Sequence, residues 1–178
     1  MSDLFRSTHA RFSPCRAYRY ELWRKWGGGP LLNVLMLNPS TADETDNDPT
    51  VERCERRANQ LGYSGLIVTN LFAFRATYPK DMKAAADPVG SENDAAILAA
   101  AKEAELVLCA WGNHGAHRGR AQAVRKMFER EGIELWCLHV TKQGQPQHPL
   151  YVGYQARAVP FLAARAEAGT LHGQGDGR

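Results

Sequence analysis

The sequence predicts an α/β protein: a three-layer α/β/α sandwich on a four-stranded parallel sheet, with an additional strand at its N-terminal edge. Three observations predict it. Apolar runs recur at residues 31–37, 66–68, 105–110 and 133–140. They read as strands buried on both faces. Segments with helical periodicity or capping signals separate them, and such alternation marks a parallel sheet joined by right-handed crossovers.

Residues 1–14 lack periodicity and read as a flexible arm. Tyr18-Arg19-Tyr20-Glu21-Leu22-Trp23 alternates, as a half-buried edge strand does. Gly27-Gly28-Gly29-Pro30 breaks the chain before the first buried strand at 31–37. Asp48-Pro49 is an N-cap followed by proline at the first helical position. The helix it opens runs to about residue 61, with Val51, Cys54, Ala58 and Leu61 on one face and Gly62 as its stop. The second strand, 66–68, ends at Asn70, and a loop containing Pro79 and Pro88 follows. Ser91-Glu92-Asn93-Asp94 resembles a capping box for an alanine-rich helix to residue 103. The third strand, 105–110, closes at Trp111-Gly112. An amphipathic helix over 118–131 turns Ala121, Val124, Met127 and Phe128 inward. The fourth strand, 133–140, leads into a polar loop ending at His148-Pro149. Residues 152–166 read as a helix interrupted or kinked at Pro160, and 169–178 as a glycine-rich disordered tail. Residues 15–168 thus form a single α/β domain.

A chain of 178 residues, 44% apolar and 23% charged, is long enough to bury one proper core. No apolar run is long enough to cross a bilayer, and residues 1–13 contain no signal-peptide segment, so a cytoplasmic protein without a membrane partner is expected. Cys15, Cys54, Cys109 and Cys137 show no close pairing, which suggests neither a disulfide framework nor a zinc knuckle. The net charge is only +3, but 16 arginines stand against 6 lysines. Six cations and one acid, Glu21, occupy residues 6–25. That balance permits a phosphate-bearing partner, nucleic acid or nucleotide, and fits a solvated surface equally well.

In open parallel sheets ligands bind beyond the carboxyl ends of the strands. The polar groups expected there are Asn38 to Glu44, Asn70 to Arg75, Trp111 to His114, and His139 to His148. Ser40 and Thr41 stand beside Asn38 as candidate substrate-binding hydroxyls. The Asn70 amide can read a base edge or serve as a turn residue. Phe72, Phe74 and Trp111 can wall a flat ring or fill the core. Arg75 can meet a phosphate or a surface carboxylate. The acidic run Asp43, Glu44, Asp46, Asp48 offers a general base, a metal ligand or a helix cap; Asp48 fits the cap, and Asp43 fits either a catalytic base or a solvated carboxylate. Neither that run nor the six histidines has conventional metal-ligand spacing, so no metal is expected. His148, aimed by Pro149, is suited to hydrogen-bond a developing negative charge. Ser40 lacks a nucleophile elbow, and no Walker loop or Gly-x-Gly-x-x-Gly is present.

Residues 19–24, 37–44, 48–50, 70–77, 90–93, 110–112 and 148–151 together resemble a bacterial domain-of-unknown-function family, number 1643. A more distant resemblance is to the uracil-DNA glycosylase superfamily, whose four parallel strands lie between helices. There the first strand ends in Asn-Pro-Gly in two branches, as Asn38-Pro39-Ser40 does with one change. The second ends in a base-reading Asn, the third near a glycine, and the last motif begins His-Pro. Asn70, Trp111-Gly112 and His148-Pro149 correspond. The resemblance implies that Asn38 positions the attacking water, Asn70 pairs with the base, Phe72 or Phe74 stacks on it, and His148 stabilises the departing base anion. The implied reaction is hydrolysis of an N-glycosidic bond in nucleic acid or a nucleotide, without a cofactor, a duplex substrate having its base flipped out. Ser40, Leu150-Tyr151 and the acidic run depart from that pattern. Two alternatives remain open: a hydrolase or transferase acting on a small nucleotide-like metabolite, with Asp43 or Asp46 as base, and a non-catalytic base- or nucleotide-binding module.

Overall fold

The computed structural model describes residues 6–172, which form a mixed α/β fold. In chain order the elements are β1 (Ser7–Phe12), β2 (Arg19–Lys25), β3 (Leu31–Met36), α1 (Pro49–Gln60), β4 (Gly65–Asn70), α2 (Pro79–Ala84) and α3 (Asn93–Glu103). There follow β5 (Leu106–Cys109), α4 (Arg120–Arg130), β6 (Leu135–Cys137), β7 (Val159–Pro160) and α5 (Phe161–His172). Short 3-10 segments occupy Asn113–Gly119 and Pro149–Tyr151.

The sheet is larger than the four parallel strands and one edge strand expected from the sequence. It has seven strands in the order β1-β2-β4-β3-β5-β6-β7. The inner β4, β3, β5 and β6 are mutually parallel, whereas β1, β2 and β7 pair antiparallel. β2 is therefore an interior strand between β1 and β4. β1 falls within the expected arm, because its first three residues are exposed and the strand carries no apolar alternation. Backbone pairing holds it, supported by the Arg11–Glu21 ion pair and Arg11 over the Tyr20 ring. Residues 1–5 of that arm lie outside the described residues.

Proline explains the other large difference. Pro160 does not kink a helix; it ends β7, opposite Trp136, and α5 begins at the next residue. A proline lacks the N–H a helix interior needs, but an edge strand tolerates it. Of the expected tail, residues 169–172 complete α5, and 173–178 lie outside the described residues. The loop after β4 contains α2, opened by Pro79.

Two buried clusters take alternate strand residues. Leu32, Val34, Met36, Leu66, Val68 and Leu108 pack with Val51, Cys54 and Ala58 of α1. Leu35, Val107, Cys109, Leu135 and Cys137 pack with Ile97 of α3, Val124 and Phe128 of α4, and Phe161 of α5. Successive side chains of a strand point to opposite faces, so every central residue has a core to enter, and the strands read as continuous apolar runs.

Candidate active site

A cavity of about 760 Å³ opens where β3 and β5 end, within the ~300–1,000 Å³ usual for small-molecule sites. It is lined by the ends of β3 and β5, the start of α1, the loop 76–79 and the turn 147–151. Asn38, Ser40, Thr41, Trp111 and His148, all expected as site residues, line it. Asp43, Asn70, Phe72, Phe74 and Arg75 are not among its lining residues.

The turn after β3 is pinned on both sides. Asn38 donates from Nδ2 to the carbonyls of Ala76 at 2.7 Å and Pro39 at 3.2 Å. The Ala76 N–H returns a bond to Pro39. With its nitrogen committed, the half-buried amide of Asn38 keeps Oδ1 as its remaining acceptor. Asp48 caps α1: Oδ1 accepts the Val51 N–H at 2.9 Å, and Oδ2 accepts the Ala42 N–H. Only 8% exposed, Asp48 also lines the cavity, so its capping and site positions coincide.

His148 lines the same cavity. Its Nδ1 accepts the Leu150 N–H at 3.3 Å, an arrangement available to the neutral ring protonated at Nε2. Burial lowers its pKa below 6.5, partly opposed by the Asp48 charge. The ring of Tyr151, 76% exposed, lies tilted 5.9 Å from the imidazole. Two arginines of α1 hold this turn. Arg53 donates to the carbonyls of Pro149 and Val152, and Arg57 to those of Val152, Gly153 and Ala156.

Trp111 forms a rigid wall. It is buried, its Nε1 donates to Gln145 at 2.8 Å, and Phe161 packs against it edge-on. Gly115 packs so closely on the indole that a Cβ there would collide with it. Gly112, with φ +69°, adopts a backbone that favours glycine.

The remaining expected residues sit outside the cavity lining, and the buried Asn70 Nδ2 has no hydrogen-bond partner. Asp43 accepts the N–H groups of Thr45 and Asp46 and the Thr45 hydroxyl, closing its own loop. Those bonds lower its pKa. Arg24 donates to the carbonyls of Asp43 and Asp46, and the Glu44 carboxyl, paired with Arg16, is held at about 2. Asn70 is buried beside Met36 on the neighbouring strand, and Asn93 donates to its carbonyl. Phe72 is a core residue and Phe74 packs edge-on against Tyr18. Arg75 donates to the Arg16 carbonyl and lies over Phe12.

Sequence reading missed Arg19. It is 2% exposed, lines the cavity, and donates from Nη1 to the Ala42 carbonyl at 2.9 Å. Its Nε has no partner. Burial pulls its pKa down to about 10, so it remains a cation at neutral pH. Thr50, Asn113, His114, Thr141, Gln147 and Tyr151 also line the space, and Lys83 Nζ lies 2.9 Å from His114 Nδ1. Among the described residues, no three His, Cys, Asp or Glu side chains group as a metal site, and no helix is long and apolar enough to cross a membrane.

Comparison with curated proteins and with solved structures gives no match. A family model described as "Protein of unknown function (DUF1643)" matches residues 19–150, a span that contains every cavity-lining residue except Tyr151. The chain belongs to that family.

Proposed function

We propose that the cavity binds a nucleobase-bearing ligand and that Asn38 and His148 hydrolyse its N-glycosidic bond. On this reading the chain has the α/β/α arrangement of the uracil-DNA glycosylase superfamily, its sheet extended by antiparallel strands on both sides. The observation that carries it is the meeting of Asn38 and His148 in one cavity of suitable size, each oriented by a hydrogen bond to backbone.

Water supplies the co-reactant. Asn38 Oδ1 accepts a hydrogen bond from a water that attacks the anomeric carbon. The C–N bond breaks, its electron pair leaves with the base, and the water gives its second proton to solvent. His148, neutral at Nδ1, donates its Nε2 proton in a hydrogen bond to the departing base anion. A donor placed where charge develops stabilises the transition state more than the ground state. Asn70 takes no part on this reading; Gln147 and Asn113, which line the cavity, read the base edge, and exposed Tyr151 stacks on the ring.

The test is release of free base from nucleosides, nucleotides and single- and double-stranded oligonucleotides carrying uracil, hypoxanthine, xanthine or oxidised bases. Release from one class identifies the substrate. Saturable binding without release assigns the cavity to recognition alone, and neither binding nor release rejects the reading.

A further inference from the structure

We infer that the cavity selects a phosphorylated ligand, whose phosphate docks between the Arg19 guanidinium and the first turn of α1. The identity of that ligand as a nucleotide rests on the function proposed above.

A buried guanidinium is expensive to desolvate, and proteins ordinarily pair it with a carboxylate or satisfy its five N–H groups. Arg19 has neither arrangement. Its side chain makes one hydrogen bond, to a carbonyl, and its Nε is buried without a partner. Among the described ion pairs none includes it. Arg24, on the same strand, shows the contrast: it spends its donors on four acceptors, three of them in the acidic loop. A positive charge so placed, with N–H donors left over beyond the bond to Ala42, is suited to an oxyanion.

The helix supplies an independent component. Pro49, Thr50 and Val51, the first turn of twelve-residue α1, line the same cavity as Arg19. Asp48 occupies the Val51 N–H, and Glu52 bonds the Asp48 carbonyl. The Thr50 N–H has no intrahelical acceptor and no other partner among the described residues. Such a donor, at the positive end of the helix dipole, is suited to a phosphate oxygen. Thr50 also brings its hydroxyl. Arg19 is the one Arg or Lys among the residues lining the cavity, and Asp48, the one acidic residue there, has both carboxylate oxygens bonded to backbone N–H groups.

The first experiment titrates inorganic phosphate into isotope-labelled wild-type protein at constant ionic strength. Saturable shifts of the Thr50 amide and the Arg19 Nε–H are expected; no saturable shift at either up to about 50 mM overturns the inference. A second arm compares nucleoside 5′-monophosphates with their nucleosides. The monophosphates are expected to bind at least about tenfold more tightly, the equivalent of one charge-assisted hydrogen bond. Arg19→Met is expected to abolish that preference and Arg19→Lys to retain part of it; equal affinities in wild-type protein overturn the inference. Should Arg19→Met not fold, the wild-type measurements still decide. Phosphate binding without base release keeps the anion site and removes the glycosidase. Equal base release from nucleosides and nucleotides, with no shift at Thr50, does the reverse.

Discussion

Arg53 donates from Nε to the carbonyl oxygen of Pro149 at 2.9 Å, fastening α1 to the turn immediately after His148. Arg57 repeats the clamp further along the helix, on Val152, Gly153 and Ala156, and both guanidinium groups lie over the Tyr154 ring. The helix whose N-cap Asp48 lines the cavity thus also holds the turn that carries His148.

The two arginines separate stability from positioning. Arg57 is buried, so Arg57→Ala leaves several carbonyls without a donor and is expected to cost about 2–3 kcal/mol in denaturant unfolding. Arg53→Ala is expected to cost about 1 kcal/mol or less, because water can reach part of the site. It nevertheless loosens the turn carrying His148, so base release falls by more than its stability loss implies. Unchanged release in a folded Arg53→Ala protein contradicts the clamp.

Gly115→Ala tests the Trp111 wall. The new methyl meets the indole directly, and the expected loss is about 1–3 kcal/mol, as in other overpacked cores. Near-ultraviolet circular dichroism reports the displaced tryptophan. Gly119→Ala has open space around its Cβ, so strain from its φ of +66° gives a comparison without collision.

Histidine titration sets an acid limb. Burial lowers the pKa of His148, His114 and His117 below the unfolded value of 6.5. The unfolded chain therefore takes up protons first, and the folded state loses stability as pH falls below about 6.5. That stability is fully present above this value. Protonation of His148 at Nδ1 also removes the acceptor for the Leu150 N–H, so activity is expected to hold near neutrality and fall with the lowered pKa. His148→Gln is expected to flatten part of the stability limb, read by melting temperature against pH.

Thiol reactivity has a definite pattern. Cys15 is exposed, and its hydrogen bond with Ser13 lowers its pKa. Burial pushes Cys54 up to about 12 and Cys137 up to about 11, and raises Cys109 well above its usual value. A thiol-specific reagent is expected to label the native protein once, at Cys15, and Cys15→Ser to abolish that rapid phase. Labelling of more than one thiol in folded protein contradicts the burial pattern.

The central strands were legible because burial on both faces leaves mainly apolar runs, interrupted only by buried Asn33 in Leu31–Met36 and by Thr69 and Asn70 at the end of Gly65–Asn70. Helix α1 was legible through local chemistry, Asp48-Pro49 at one end and Gly62 at the other. β1 was not, since its backbone pairing with β2 leaves no periodic apolar trace in its own residues. At the site, Asn38 and His148 were readable from their places beside strand end and proline. Arg19 was hidden because an arginine in an alternating strand reads as solvent-facing. Its burial comes from the loop 42–48 folding over it, a long-range contact through Ala42. Asn70 lies outside the cavity lining, where Asn93 and Arg120 donate to the Asn70 and Leu71 carbonyls, long-range contacts that its place at a strand end does not reveal.

The most direct test of the account is base release by wild-type protein beside Asn38→Ala and His148→Ala, each shown to be folded, on the substrate that releases most. The account predicts release by the wild type and a loss of at least about a hundredfold in each variant, the usual scale for removing a positioned catalytic group. Wild-type release that survives both substitutions undiminished would contradict it.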